Sequence, residues 1–195
     1  MRILAVADRQ HKALYEYFDK ERWRSLDLVI SCGDLRSEYL SFLVTALNKP
    51  LLYVPGNHDQ SFNDRPPEGC DSVDGRILVV KGLRVAGLGG SNWYNGKELQ
   101  YTEKQMERRV RKLIRSARKT GGIDVFVAHA PPQGIHDLPD RCHTGFGAFR
   151  ALMDELRPRA FLHGHNHEVY TCKERELDVG GVRVINVCGY YDFEL

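Results

Sequence analysis

Short apolar runs rich in β-branched residues recur along the chain, and helical patterns separate several of them. The predicted strands are Ile3–Ala7, Leu28–Ser31, Leu51–Val54, Ile77–Val80, Val85–Leu88, Val125–Ala128, Ala160–Leu162 and Val182–Val187. The predicted helices are Lys12–Lys20, Ser37–Leu47, Thr102–Lys119 and Phe146–Leu156. This alternation, with short Gly- and Pro-rich turns, favours an α/β fold whose strands are largely parallel in the first half.

Three further segments complete the predicted organisation. Val169–Val187 has the pattern of antiparallel strands around a Gly180-Gly181 turn, whereas Gln60–Gly75 and Gly89–Tyr101 are irregular and predict surface loops. A chain of 195 residues with 42% hydrophobic residues can bury one sizeable core, and no repeat or linker divides it. We therefore expect a single domain over residues 1–195.

Apolar patterning also bears on localisation. No apolar run approaches the roughly 20 residues of a membrane-spanning helix. No targeting pattern precedes the strand at Ile3. We expect a cytoplasmic protein without a membrane partner, and its oligomeric state stays open.

Cysteine spacing argues against a thiolate-based framework. The cysteines are odd in number, widely scattered and never in a Cys-x-x-Cys pair (Cys32, Cys70, Cys142, Cys172 and Cys188). This pattern predicts neither a disulfide framework nor a zinc–thiolate site. Cys32 and Cys188 lie in apolar strand-like runs, where a cysteine usually acts as a small buried hydrophobe.

The segment from Thr102 to Lys119 concentrates positive charge. It holds eight Lys or Arg against two Glu, a local charge of +6 in a chain whose net charge is +2. Its apolar residues recur at helical spacing, which predicts an amphipathic helix with a cationic outer face (Met106, Val110, Leu113, Ile114 and Ala117). Such a face is usually a solvated surface, and the alternative is a platform for nucleic acid.

Polar clusters follow several predicted strands at the points where the strands end. The clusters are Asp8, Gly33-Asp34, Gly56-Asn57-His58-Asp59, His129 and Gly164-His165-Asn166-His167. The carboxyl ends of strands in an open α/β sheet share one rim, where ligands bind. We therefore expect residues from opposite ends of the sequence, such as Asp8 and His165, to converge on one cleft.

The residues at this predicted rim form a set of metal ligands. They offer two carboxylates, an amide oxygen and three imidazoles, without a thiolate (Asp8, Asp34, Asn57, His129, His165 and His167). Such a set suits Mn, Fe or Zn better than Ca. It is too large for one tetrahedral ion, so we expect two neighbouring divalent ions if Asp34 bridges them. A glycine before each of Asp34, Asn57 and His165 lets the backbone approach the ions closely.

In this order the motifs resemble those of the calcineurin-like metallophosphoesterases. The family pattern is D-x-H, G-D, G-N-H-[ED], a lone His and G-H-x-H, and its counterpart here spans residues 8–167. The stretches GLGGSNWYNG, HAPPQGIHD and LHGHNHEVY are similar to those of small single-domain bacterial members. The resemblance implies a four-layer αββα sandwich around a two-metal phosphohydrolase site.

The resemblance also implies a role for each matching residue. The first ion would be held by Asp8 and His167, the second by Asn57, His129 and His165, and the two would be bridged by Asp34. His58 would not bind metal but would approach the phosphate, where it stabilises the charge or protonates the leaving oxygen. Asp59 would orient His58.

One position departs from the family pattern. Gln10 replaces the histidine of D-x-H, and His11 follows one place later. An amide oxygen is a weaker ligand than imidazole for a borderline ion, so the first site should bind loosely or accept a harder ion such as Mn²⁺ or Mg²⁺. Three interpretations stay open: Gln10 ligates directly or through water, His11 turns toward the ion, or the first site is partly vacant.

Two predicted loops hold other candidates, although the sequence identifies no substrate-binding residue. His136 and His143 flank a loop after His129, and either one lines the substrate pocket or both are ordinary exposed loop residues. Trp93 and Tyr94 follow a glycine run. They would stack on a base, cap the pocket or pack against the sheet edge.

Together these features predict a metal-dependent phosphoesterase that uses a metal-bound hydroxide on a small phosphomonoester or phosphodiester. After Asp34 the chain continues Leu35-Arg36-Ser37 and lacks the G-D-x-x-D-R-G extension of the family's protein phosphatases, which favours diesters over phosphoproteins. One alternative is a nuclease that uses the helix 102–119. The other is a low-activity phosphate-binding module whose first metal site has decayed.

Overall fold

Two large β-sheets, a two-stranded pair and three α-helices make up the described part of the fold. In the computed structural model, which describes residues 1–167 and 175–195, the helices are α1 (Ser37–Leu47), α2 (Glu103–Thr120) and α3 (Gly147–Leu156). The strands in chain order are β1 (Arg2–Ala7), β2 (Leu28–Ser31), β3 (Leu51–Tyr53), β4 (Asp71–Ser72), β5 (Ile77–Val80), β6 (Leu83–Leu88), β7 (Ser91–Asn92), β8 (Gln100–Tyr101), β9 (Val125–Ala128), β10 (Ala160–His163), β11 (Glu176–Val179), β12 (Val182–Asn186) and β13 (Gly189–Glu194).

Both large sheets have parallel centres. The first has the order β13-β1-β2-β3-β4, in which β1 to β4 are parallel and β13 runs antiparallel to β1. The second has the order β11-β12-β10-β9-β6-β5, with four parallel inner strands and an antiparallel strand at each edge. Strands β7 and β8 form a small separate pair. The predicted parallel arrangement is confirmed.

Three apolar clusters give the order of the layers. Ile3 and Ala5 of β1 pack between the sheets with Val127 of β9. Leu4, on the opposite face of β1, packs with Leu43 of α1. Helices α2 and α3 cover the outer face of the second sheet. The layers are therefore helix, sheet, sheet and helices, which confirms the αββα sandwich.

The cationic segment forms a helix as predicted, and each end of this helix lies one residue later than expected. Thr102 caps α2, and its side chain and that of Gln105 form a reciprocal capping box. The predicted apolar face is buried (Met106, Val110, Leu113, Ile114 and Ala117). Three of its arginines pair with carboxylates, namely Arg109 with Asp74, Arg111 with Glu107 and Arg118 with Glu155. In the described part of the chain, no helix is long and apolar enough to cross a membrane.

The predicted helix Lys12–Lys20 is wrong. Only a 3-10 turn forms over Lys12–Leu14, and turns follow it. Leu14 is fully buried, whereas Tyr15 and Tyr17 are 53% and 71% exposed. Because the segment offers so little continuous apolar surface, packing does not offset the cost of helix nucleation.

The sequence patterns missed β13 and several short elements. β13 pairs with the whole of β1, from Arg2 opposite Glu194 to Ala7 opposite Gly189. The predicted loops Gln60–Gly75 and Gly89–Tyr101 contain β4, β7, β8 and a 3-10 turn. Strands of two residues, such as β4, β7 and β8, are too short to show a periodic pattern, so the sequence does not predict them.

The predicted antiparallel segment at the C-terminal end is confirmed where it is described. Strands β11 and β12 pair from Glu176 opposite Ile185 to Val179 opposite Val182. The start of the predicted segment Val169–Val187, and Cys172 with it, lies outside the described residues.

The packing predicts a large cost for removing Phe161. This ring is fully buried, with centroids 4.9 Å from Phe126 and 5.7 Å from Phe149. Phe161→Ala should lower the free energy of unfolding by about 3–5 kcal/mol in a denaturant titration. Val79→Ala, at a residue that is 64% exposed, should change it by less than about 0.5 kcal/mol. Equal effects of the two substitutions would contradict this core assignment.

Candidate metal centre

The polar clusters at the strand ends converge, and both sheets contribute. Asp34 follows β2 of the first sheet and His129 follows β9 of the second, yet His129 Nε2 lies 3.2 Å from Asp34 Oδ2. Asn57 Oδ1 lies 3.0 Å from the same nitrogen. The ring of His165 lies beside that of His129, with centroids 4.8 Å apart. Asp34, His129 and His165 each offer one ligand atom, all within 4.8 Å of one another.

His129 is buried at the centre of this group. Its Nδ1 lies 2.8 Å from the carbonyl oxygen of Cys32, which directs Nε2 toward Asp34 and Asn57. Burial disfavours the charged ring, but the Asp34 carboxylate outweighs that effect and raises the pKa of His129 to about 9. Burial likewise acts to raise the pKa of Asp34, and the charge of His129 outweighs it, so that this pKa is lowered. The group therefore favours positive charge at its centre.

Asp8 provides a second carboxylate with a free oxygen. Its Oδ1 accepts a hydrogen bond from the backbone nitrogen of His165 at 3.0 Å and lies 3.3 Å from His167 Nε2. Its Oδ2 is buried and has no hydrogen-bond partner among the described residues. A buried carboxylate oxygen without a partner is costly, and a bound cation would remove that cost.

The backbone holds the predicted ligands in strained, tightly packed turns. Asp8, Asp34 and His165 all have positive φ, at 63°, 56° and 68°, a conformation that costs non-glycine residues about 1–3 kcal/mol. Two glycines allow the turns to pack closely. A Cβ on Gly164 would lie 2.7 Å from Asp8 Oδ2, and one on Gly56 would collide with the Asp34 carboxylate.

The turn after β3 presents His58 and holds Asp59 inside. His58 is exposed, and its backbone nitrogen donates to Asp34 Oδ1 at 2.8 Å. Asp59 is buried, and its Oδ2 accepts from the backbone nitrogens of Asp34 and Gly56 at 2.7 and 2.8 Å. Burial raises the pKa of Asp59 to about 6. Through these contacts Asp59 stabilises the turns that carry Asp34 and His58. The role predicted from the sequence is a different one, to orient the His58 side chain.

Gln10 and His11 follow Asp8 in the turn after β1. Both are exposed. His11 Nδ1 accepts a hydrogen bond from the backbone nitrogen of Ala13 at 3.2 Å, and its ring packs edge-on against Tyr190 with centroids 4.6 Å apart. The side chain of His11 thus caps the 3-10 turn, and its predicted turn toward a metal ion would break that cap.

His163 is a buried residue that the sequence analysis missed. Its Nε2 lies 2.9 Å from His136 Nδ1, and its Nδ1 lies 3.0 Å from the carbonyl oxygen of Gly164. Burial, followed by the charge of His136, lowers the pKa of His163 to about 3. A neutral His163 therefore supports the turn that carries His165. The sequence signal that could have identified His163 is its position directly before the G-H-x-H motif.

The loop after β9 contacts His165. The sequence analysis did not predict this contact. His165 Nε2 lies 2.7 Å from the carbonyl oxygen of Cys142. Burial and then the charge of His129 lower the pKa of His165 to about 3, so the ring is neutral. Cys142 and His143 are half-buried beside it, whereas Cys32 is fully buried as predicted and Cys188 only partly.

Aromatic residues of the loop between β7 and β8 complete the surroundings. The Tyr94 hydroxyl accepts a hydrogen bond from Asn57 Nδ2 at 3.3 Å. Trp93 is 43% exposed, and the guanidinium of Arg141 lies over its ring at 5.7 Å from the centroid. Tyr94 thus contacts a predicted metal ligand directly, and Trp93 presents an exposed aromatic face next to it in sequence.

Comparison with known proteins gives a consistent result. The family model for calcineurin-like phosphoesterases matches residues 1–169. No curated protein matches the chain. One crystal structure with 15% sequence identity has a TM-score of 0.69 and covers 98% of this chain and 94% of its own.

Two further solved structures share the fold. GAP50, the anchor in the inner membrane complex of Plasmodium, is 13% identical with a TM-score of 0.56, over 97% of this chain and 71% of its own. A hypothetical protein from Thermus thermophilus is 17% identical with a TM-score of 0.54, over 95% of this chain and 75% of its own. At these identities the similarity shows the fold alone.

The packing around Gly56 predicts that it tolerates no side chain. In Gly56→Ala the new Cβ would lie 2.6 Å from the backbone nitrogen of Asp34 and would collide with its carboxylate. We expect the free energy of unfolding of the metal-free protein to fall by about 1–3 kcal/mol in a denaturant titration. In the control Gly147→Ala, the Cβ would first meet the flexible ends of Gln133 and Glu103, at 3.1 and 3.5 Å. An unchanged Gly56→Ala protein would show that the turn relaxes.

Proposed function

We propose that this chain, which belongs to the calcineurin-like phosphoesterase family, hydrolyses phosphodiesters at a site for two divalent ions. Family membership supports a metal-dependent phosphoesterase. The observation that carries the two-ion proposal is the convergence of Asp34, Asn57, His129 and His165, together with the buried Oδ2 of Asp8, which has no hydrogen-bond partner in the described ranges.

The side chains present fit the proposed ions. Asp8 and His167 lie at one end of the group, 3.3 Å apart, and would hold the first ion. Asn57, His129 and His165 would hold the second, and Asp34, whose Oδ2 lies 3.2 Å from His129 Nε2, would be the ligand shared by both ions. Carboxylate, amide and imidazole ligands suit Mn²⁺, Fe²⁺ or Zn²⁺. Divalent ions in such a site neutralise the charge of the phosphoryl group and lower the pKa of water.

The surrounding residues keep these ligands in place and supply a proton. The carbonyl of Cys32 receives the Nδ1–H of His129 and the carbonyl of Cys142 receives the Nε2–H of His165, which fixes the orientation of both rings. The Asp59 carboxylate holds the turn of Asp34 through two backbone nitrogens. The exposed imidazole of His58 donates a proton to the leaving oxygen in this proposal.

The proposed preference for diesters rests on the residues after Asp34. This segment, Leu35-Arg36-Ser37, leads directly into α1, without the extension of the family's protein phosphatases. The nuclease alternative stays a prediction. Three arginines of α2 are paired with carboxylates, and no contact in the described residues favours a nucleic-acid role for this helix.

The first test combines metal content with turnover. Protein purified without chelator should contain about two transition ions per chain and hydrolyse a chromogenic phosphodiester. Asp34→Asn should lower the rate by more than about 100-fold, because the proposed bridging carboxylate is lost. The matched control is Asp154→Asn, at an exposed position of α3. One ion or none, together with no turnover at any Mn²⁺ concentration, would favour the phosphate-binding module.

The replacement at position 10 supports a second test. Gln10→His supplies an imidazole where an exposed amide now stands, two residues after Asp8. We expect tighter binding of the more weakly held ion, since imidazole is the better ligand for borderline ions. The measurement is the Mn²⁺ concentration that gives half-maximal hydrolysis, with Gln105→His on α2 as a control. An unchanged value would show that position 10 does not reach the first ion, and a large rise in maximal rate would indicate that the natural site is impaired.

A further inference from the structure

A second group of ligands lies beside the proposed phosphoesterase site. Cys142 Sγ lies 4.0 Å from His165 Nε2, and Cys142, His143 and His165 each offer one ligand atom within 4.8 Å of the others. His165 is buried, and the other two are half-buried at the loop surface. One thiolate and two imidazoles with an open fourth position form a ligand set suited to Zn²⁺. The group around Asp34 has no sulfur ligand.

Asp140 arranges this group without an ion. Its Oδ1 accepts from the backbone nitrogens of Cys142 and His143, at 3.0 and 3.1 Å. Its Oδ2 lies 2.9 Å from His143 Nδ1. A carboxylate that receives the Nδ1–H of a histidine leaves Nε2 as the ligand nitrogen, and metal-binding histidines commonly have such a partner. Thr144 Oγ1 donates to the carbonyl of Asp140 at 2.7 Å and ties the loop further.

The two groups compete for one imidazole. His165 belongs to both. Its Nε2 faces Cys142 and donates to that residue's carbonyl, which leaves the lone pair on Nδ1 for an ion held with Asp34 and His129. A neutral imidazole has only one such lone pair. An ion bound beside Cys142 requires the lone pair on Nε2, and the proton then moves to Nδ1.

We propose that Cys142, His143 and His165 form an inhibitory site for a thiophilic divalent ion such as Zn²⁺. Binding releases the thiol proton to solvent and forms bonds from the ion to sulfur and to two ring nitrogens. Occupation withdraws His165 from the ligands around Asp34. Only the inhibitory effect rests on the proposed phosphoesterase function, since the binding of the ion stands on its own.

Cobalt(II) reports the sulfur ligand directly. Wild-type protein titrated with Co²⁺ should develop a thiolate-to-cobalt charge-transfer band in the near ultraviolet. Cys142→Ser should abolish the band, whereas Cys70→Ser, at another half-buried cysteine, should retain it. Asp34→Asn should also retain it, because Asp34 does not belong to this group. Absence of the band in wild type, or its loss in Asp34→Asn, would overturn a separate thiolate site.

A graded variant tests the arrangement around Asp140. Asp140→Asn should weaken Co²⁺ binding at the band-forming site by about 10–100-fold, because the partner of His143 Nδ1 is weakened. Unchanged affinity would contradict the positioning role of Asp140. This measurement needs no turnover, so it stands even if the chain proves inactive on phosphodiesters.

Inhibition is measured on the Mn²⁺-loaded protein. Zn²⁺ should suppress hydrolysis of the chromogenic diester by wild type. With each rate expressed relative to the same protein's own Mn²⁺-supported rate without Zn²⁺, Cys142→Ser should resist Zn²⁺, because serine is a poor Zn²⁺ ligand. Equal Zn²⁺ sensitivity of the two proteins would overturn the inhibitory role. Lack of Mn²⁺-supported hydrolysis in wild type would refute the proposed phosphoesterase instead.

Discussion

The contact between His129 and Asp34 is the interaction on which the rest of the site depends. It joins the ends of β9 and β2, one strand from each sheet, with both side chains almost fully buried and 3.2 Å apart. An ionised carboxylate is costly to bury unless it is paired and hydrogen-bonded. Asp34 has both His129 and the backbone nitrogen of His58 as partners. The apolar inner faces bring the strand ends together, and the paired groups there favour positive charge between them.

This constraint explains why the turns are strained. Asp8, Asp34 and His165 adopt left-handed backbone conformations, at a cost of about 1–3 kcal/mol each. The strain falls on turns whose flanking strands are locked by the core between the two sheets. Buried residues stabilise these turns directly: Asp59 accepts a hydrogen bond from the backbone nitrogen of Asp34, and His163 donates one to the carbonyl oxygen of Gly164. A rigid double sheet therefore lets ligands be held in positions that isolated turns would not adopt.

The predictable parts of the fold were those with a local pattern. The helical pattern of Ser37–Leu47 predicted the bounds of α1 without error, and the strand-end rule placed Asp34 and His129 in one group. What depends on distant partners was not predictable. The segment Lys12–Lys20 buries Leu14 while Tyr15 and Tyr17 stay exposed, and the contact of Cys142 with His165 depends on the path of the loop between them. Residue type indicates possible chemistry, but the loop path decides which ligands meet.

The neighbouring ligand groups differ in the ions they favour. In the proposed site, Gln10 replaces the imidazole of the family pattern, so the end near Asp8 would be richer in oxygen and suit a harder ion such as Mn²⁺. Cys142 and His143 are softer, and Zn²⁺ binds most sites more tightly than Mn²⁺ does. His165 belongs to both groups. A soft ion bound by Cys142 and His143 would therefore compete for His165 with the ions of the other group. In the proposed arrangement, the balance of Zn²⁺ and Mn²⁺, rather than the total metal concentration, determines how much of the protein is active.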